Sequence, residues 1–392
     1  MNKEVIVSAK RTPIGSFMGA LSSVEATELG AIAIKSAIDE INLDPKEIDE
    51  VFMGHVLQAG TGQAPARQAS IKAGISMNVP CTTVNKVCAS GMKAITLAVQ
   101  SIILRDSEVV IAGGMENMSL SPHYFRSRNG NKFGQIIFHD VMQVDGLTDA
   151  YDKVAMGVFA DKCAKKYNFS REDQDKFCIQ SYSRSAKAWE NGIFSKEIKP
   201  VIVSSRGGKE IVVEKDEEFK NINLEKIPLL RPAFSKDGTV TAANAFSIND
   251  GAAALVVMSE KKAKKLGLKP MAYILSYADA ADDPQWFTTA PAKALPKALN
   301  NSGLDFSDID LFELNETFSV VGLANIKLLN LDSKKVNING GAVSLGHPIG
   351  CSGARIIVTL LHSLNFFQKK IGAAAICNGG GGASAMIFKN NL

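Results

Sequence analysis

Apolar and polar positions along the chain fall into alternating helical and extended patterns, which is the signature of an α/β protein. Ala26 to Ile41 and Ala292 to Ser302 both carry the spacing of an amphipathic helix. Each leads into an Ile-Asp pair and a short apolar strand, in Pro45-Lys-Glu-Ile-Asp-Glu-Val-Phe-Met-Gly-His55 and in Phe306-Ser-Asp-Ile-Asp-Leu-Phe-Glu-Leu-Asn315. A helical stretch from Gly91 to Leu104 then precedes the apolar run Val109-Val-Ile-Ala-Gly-Gly114, which reads as a buried strand ending in a glycine turn. Cys351 to Leu364 and the strand Ala373 to Cys377, again ending in glycines, repeat that arrangement. From Cys88 to Gly113 is 25 positions and from Cys351 to Cys377 is 26. The recurrence predicts two similar α/β halves made by duplication.

The expected boundaries are a first half over residues 1–118, completed by about 245–268, an inserted segment over 119–244, and a second half over 269–392. The insertion is rich in charge, with a helical stretch Arg171 to Asn191 and the run Lys209-Glu-Ile-Val-Val-Glu-Lys-Asp-Glu-Glu-Phe-Lys220, which reads as a solvated face. Ligands of open α/β sheets gather at strand carboxyl ends, so Cys377 at a strand end and Cys88 ahead of a helix are placed to face each other across the seam.

Composition narrows the class. Hydrophobic residues make up 46% and charged residues 21% of 392, which fits a soluble globular enzyme. With 44 basic and 40 acidic residues the net charge of +4 is too weak and dispersed to suggest nucleic acid. No apolar run is expected to reach membrane length, and the charged start, Met1-Asn-Lys-Glu, is unlike a signal or transit peptide, so a cytoplasmic setting is expected. The cysteines (81, 88, 163, 178, 351, 377) and histidines (55, 123, 139, 347, 362) show no zinc-ligand spacing.

Three groups stand out chemically. Cys88, directly before Ala-Ser-Gly-Met and a helix, is placed for thiolate stabilisation by helix-terminal amides, although an arbitrary cysteine is more often a small buried hydrophobe. His347 sits in Gly-His-Pro-Ile-Gly, a loop suited to close approach to a ligand. Cys377 precedes Asn378 and four glycines whose bare amides suit an oxyanion hole, with a phosphate-binding loop as the competing reading. Asn315-Glu316-Thr317 follows a strand, and Asn315 taken alone reads as a helix cap; His55, at the corresponding place in the first half, and Cys351 read as structural.

Taken together, Ala9-Lys-Arg-Thr-Pro-Ile-Gly15, Val84-Asn-Lys-Val-Cys-Ala-Ser-Gly-Met92, Asp145-Gly-Leu-Thr-Asp-Ala-Tyr151, Val336-Asn-Ile-Asn-Gly-Gly-Ala-Val-Ser-Leu-Gly-His-Pro348 and Cys377-Asn-Gly-Gly-Gly-Gly resemble the thiolase family over nearly the whole chain. The likeness is greatest to its acetyl-CoA C-acetyltransferases. It implies a layered α-β-α-β-α fold with an inserted loop domain, and reversible condensation of two acetyl-CoA to acetoacetyl-CoA and CoA. By the resemblance Cys88 is the acyl-accepting nucleophile, His347 its base, and Cys377 the acid/base at the α-carbon. Asn315 holds a water, and the amides of Cys88 and Gly379 form the oxyanion hole. Coenzyme A is a substrate, and no cofactor is required. Leu147, Met156, Lys220, Phe234, Ala242, Ser247, Phe287 and Phe318 fall at its pantetheine, acyl and phosphate positions. A potassium site is implied at Tyr182, Ala242, Ala243, Ala245 and Val343, and a homotetramer, built as a dimer of dimers, is the family expectation.

Two departures bear on specificity. Relatives commonly carry His-Met-Gly where this chain has Ala155-Met-Gly, and Asn-Ala-Ser where it has Asn244-Ala-Phe246-Ser247. A thiolase for longer or 2-methyl-branched 3-ketoacyl-CoA is therefore the alternative, and a non-catalytic acyl-CoA-binding module is the alternative of another class.

Overall fold

The computed structural model describes residues 3–204 and 208–392. The first half comprises strand β1 (Glu4–Arg11), helix α1 (Ala26–Glu40), β2 (Glu50–Gly54), β3 (Cys81–Val84), helix α2 (Ser90–Leu104), β4 (Val109–Asn117) and β5 (Asn249–Ser259). Helices α3 (Met156–Tyr167) and α4 (Arg171–Glu190) lie in the chain between β4 and β5. The second half runs β6 (Ala272–Ala281), α5 (Pro291–Ser302), β7 (Leu311–Leu314), α6 (Ile349–Phe366), β8 (Ile371–Asn378) and β9 (Gly382–Asn390).

Strand order makes the duplication explicit. In the first half the sequence across the sheet is β1-β5-β4-β2, antiparallel, antiparallel, then parallel. In the second it is β6-β9-β8-β7 with the same three directions. β3 extends the first half alone, pairing parallel with β2. The halves join where β1 meets β6, at Val5↔Tyr273 and Ile6↔Ala272.

Alternation along each strand sorts side chains to two faces. Val110 and Ala112 of β4, with Ile376 of β8 and Met386 of β9, pack onto Met92, Ile95 and Val99 of α2 and Ile356, Ile357 and Leu360 of α6. The opposite face of the first half packs Val109 and Ile111 against Leu29 and Ile34 of α1. Leu295 and Leu299 of α5 cover the outer face of the second half beside Phe312 and Ile387. The result is helix, sheet, helix pair, sheet, helix, the layering that the family resemblance implies.

Three expectations are corrected. First, β4 does not end in a turn at Gly113-Gly114 but continues to Asn117. The glycines serve close packing: a Cβ at Gly113 would collide with the Ala253 carbonyl oxygen, and one at Gly114 with that of Gly350. Second, the windows Val87–Leu104 and Ile349–Phe366 do have membrane length and mean hydropathy of 1.6 and 1.2. They are 67% and 83% buried inside the protein, because they form the central helix pair. Third, the charged run 209–220 is not uniformly solvated. Asp216 is fully buried, and its Oδ1 and Oδ2 accept from Arg11 at 2.7 and 2.9 Å while Glu197 Oε1 accepts from Arg11 Nε at 2.6 Å. The run thereby pins the segment between β4 and β5 onto β1.

Candidate active site

Cys88 lies in a turn that the sequence holds under local strain. Val87 adopts φ +48°, a left-handed backbone that costs a non-glycine residue about 1–2 kcal/mol. Asn85 Oδ1 accepts from Val87 N at 3.0 Å, Ser90 Oγ accepts from Lys86 N at 2.8 Å, and the same hydroxyl donates to the Val87 carbonyl at 2.6 Å. The turn delivers Cys88 to the entrance of α2, where its sulfur is faced by the backbone amides of Gly379 and of Cys88 itself. Burial, and then the neighbouring Cys377, push the Cys88 thiol up to about 12, with the two amides opposing them.

His347 is fixed by residues from both halves. Gly346 stands at φ +104°, and a Cβ there would run into the Asn249 side chain, whose Oδ1 accepts the His347 backbone N–H at 2.9 Å. On the ring, Nδ1 lies 2.6 Å from Ser352 Oγ, and Ser352 Oγ lies 2.9 Å from the Pro348 carbonyl. The single hydroxyl proton goes to the carbonyl, which has no proton to offer; Nδ1 therefore carries its own proton and donates to Ser352. Nε2 is left as a free lone pair, buried and without a partner. Burial, and secondarily the Arg355 charge, push the imidazole down to about 3, so the ring is neutral at rest.

Cys377 is the penultimate residue of β8 and is buried, its sulfur 3.3 Å from Thr317 Oγ1. Burial pushes this thiol up to about 11, with the Thr317 hydroxyl acting the other way. Asn315 is not a helix cap: the next helix, Ser319–Leu328, has Phe318 at its cap position. Its amide nitrogen instead donates to Thr317 Oγ1 at 3.1 Å and lies 3.4 Å from the protonated His347 Nδ1 without a hydrogen bond to it, and its Oδ1 is buried and unpartnered. A half-turn exchanges the two ends of the amide, and either way one polar end stays open beside His347.

The strand registers identify the counterparts of these groups. Gly54 pairs with Gly114, and Leu314 with Ala375, so Glu116 occupies in the first half the place of Cys377, and His55 that of Asn315. There the groups are closed on one another. Glu116 takes His55 Nε2 at 3.1 Å and the amides of Val56, Leu57 and Gly350 at 3.1, 3.2 and 2.9 Å. The Gly350 contact ties that carboxylate to the loop bearing His347.

Of the remaining expected residues, Phe287 and Phe318 share a buried cluster with Cys377, and Met156 and Phe246 pack against it. Phe234 meets Phe318 edge-on at 5.9 Å, and Leu147 packs against the large buried cluster that includes Cys88. Ala242 is in the turn with Ala243 that precedes Asn244. Ser247 Oγ donates to Asn249 Oδ1 at 2.8 Å, so its proton is already used inside the protein. Lys220 borders a depression of about 430 Å³ with Ala20, Ile211 and Asn221. Ser352, Asn249 and Thr317 were not anticipated; Ser352, five residues beyond His347 at the start of a helix, had the one local signal that could have revealed it.

The thiolase N-terminal domain model matches residues 4–261, and the thiolase C-terminal domain model residues 268–390. The chain belongs to the thiolase family. It is 53% identical over 390 residues to the mitochondrial acetyl-CoA acetyltransferase of Bos taurus, covering 99% of this chain and 92% of that one. The cytosolic acetyl-CoA acetyltransferase of Gibberella zeae is 51% identical over 386 residues, 98% of each chain. Among solved structures, the Acat5 thiolase of Ascaris suum in complex with coenzyme A superposes with a TM-score of 0.94 at 48% identity, covering 99% of this thiolase and all of that chain. The family is one of acyltransferases, and the two domain matches divide between β5 and β6, where the chain passes from the first half to the second.

Proposed function

We propose that this thiolase is an acetyl-CoA C-acetyltransferase, joining two acetyl-CoA to acetoacetyl-CoA and CoA, and reversing that reaction, through an acetyl-Cys88 intermediate. The observation that carries the reading is the meeting of two buried thiols with an imidazole whose Nε2 is free, beside the Gly379 amide. Similarity to acetyl-CoA acetyltransferases across the full length supports the acyl group.

His347 Nε2 takes the Cys88 proton as the sulfur attacks the acetyl carbonyl, and the amides of Cys88 and Gly379 receive the oxyanion. Collapse expels CoA thiolate, which takes the proton of Cys377. Acetyl-Cys88, imidazolium and a Cys377 thiolate remain, the two charges supporting each other in a dry site. The thiolate then removes an α-proton from the second acetyl-CoA. Its enolate oxygen receives hydrogen bonds from His347 Nε2–H and a water on Asn315, and its carbon attacks acetyl-Cys88. The departing Cys88 thiolate recovers its proton from His347, and the second thiol carries the proton taken from carbon. Two thiols are needed because the first is blocked while the second acts.

The pantetheine and acyl portions would lie along Leu147, Met156, Phe234, Ala242, Phe287 and Phe318, with Lys220 toward the phosphates. The test is steady-state thiolysis of acetoacetyl-CoA by CoA. Parallel double-reciprocal lines support the reading, and intersecting lines or no turnover contradict it.

The same reading extends to potassium. Tyr182, Ala243 and Val343 pack in one cluster, with Ala242 just before Ala243 and Ala245 two residues beyond it, and burial, then Cys178, Glu218 and Glu316, push the Tyr182 hydroxyl up. Backbone carbonyl and carboxylate oxygens are hard ligands, and they would hold the cation there. A higher melting midpoint in potassium than in sodium chloride supports the site; equal midpoints contradict it. A homotetramer is proposed as well, supported by the exposed apolar residues Phe133, Ile136, Ile137 and Phe138, and light scattering reads it directly.

A further inference from the structure

Phe246 is half-buried and meets the His347 imidazole edge to face, with centroids 4.9 Å apart at 89°. It also abuts Phe318 at 5.7 Å and 77°. The position is well anchored: the Phe246 N–H donates to the Thr317 carbonyl at 3.1 Å, and Ala245 bridges to Phe318. Three residues on, Asn249 holds the His347 amide. The ring therefore belongs to the same framework as the imidazole, and together with Phe318 and Phe234 it forms a continuous aromatic wall.

We infer that Phe246 is a specificity-determining residue that closes the His347 side of the reacting centre to substituents on the α-carbon of the acyl thioester. The inference rests on the condensation reading above. In that reaction the α-carbon is held between Cys377, which exchanges its proton, and His347, which holds its enolate oxygen. A substituent on that carbon needs room against the wall joining those two residues. Phe318 and Cys377 occupy one buried cluster and Phe246 packs on it, so the wall is rigid and already filled. Unbranched acetoacetyl-CoA places only hydrogen there, whereas a 2-methyl-branched 3-ketoacyl-CoA must push a methyl group toward the ring.

The test compares kcat/KM for thiolysis of 2-methylacetoacetyl-CoA and acetoacetyl-CoA in the wild-type enzyme, Phe246→Ala and Phe246→Leu. The branched-to-unbranched ratio is expected to rise at least about tenfold in Phe246→Ala, with Phe246→Leu between, since one carbon in a tight apolar pocket is worth about 10–200-fold. A ratio unchanged in both variants overturns the inference while leaving the thiolase reading intact. Absence of acetoacetyl-CoA thiolysis in the wild type instead overturns the reading on which it rests. Should Phe246→Ala fail to fold, Phe246→Leu, which keeps apolar bulk, decides on the same ratio.

Discussion

Replacing Ser352 by Ala removes the acceptor that fixes the proton on His347 Nδ1. The bond is short, 2.6 Å, and its surroundings are dry, with Ser352 1% exposed and His347 fully buried. Leaving a buried N–H unpartnered costs about 1–3 kcal/mol. Each 1.36 kcal/mol is roughly a factor of ten in rate, so transfer of the acetyl group to Cys88 should slow by about 5–150-fold. Part of the loss arises because the competing tautomer, with its proton on Nε2, cannot accept from Cys88 at all. Rapid-quench uptake of labelled acetyl from acetyl-CoA measures the step directly, and nitrogen NMR of His347 reads the tautomer. Ser352→Thr, which keeps a hydroxyl, should recover most of the rate. A folded Ser352→Ala enzyme that acetylates at the wild-type rate, with the proton still on Nδ1, would refute the reasoning.

Two further outcomes follow from the same structure. With Cys88 pushed up to about 12 and His347 down to about 3, the resting pair is thiol and neutral imidazole. Alkylation of Cys88 by iodoacetamide should therefore climb roughly tenfold per pH unit between about pH 7 and pH 10; a plateau reached near neutrality would indicate a preformed thiolate. Arg11→Ala leaves Glu197 and Asp216 buried without their cation, so urea denaturation should show a loss of about 3–5 kcal/mol, and a change below about 1 kcal/mol would contradict the assigned pairing.

Much of this was legible in the sequence because the chemistry sits in short contiguous motifs. The recurrence of helix and strand about Cys88 and Cys377 gave both halves, and the strand order repeats it direction for direction. What stayed hidden depends on contacts between distant positions. Asn249 grips His347 across 98 residues, and Asp216 finds Arg11 across 205. A charge run looks solvated until the cation it encloses is known. The Gly113-Gly114 pair misled for a related reason: glycine marks close approach as readily as a turn, and the approaching carbonyls belong to Ala253 and Gly350, far along the chain. Asn315 became a site residue, rather than a cap, only once the fold put His347 beside it.

The division of labour between the two thiols is the central claim, and mass spectrometry of the acyl-enzyme tests it most directly. After mixing with acetyl-CoA alone, Cys377→Ala should accumulate acetyl on Cys88 and form no acetoacetyl-CoA, while Cys88→Ala should take up no acetyl. Stable acetylation of Cys88→Ala, or condensation by Cys377→Ala at the wild-type rate, would contradict the account.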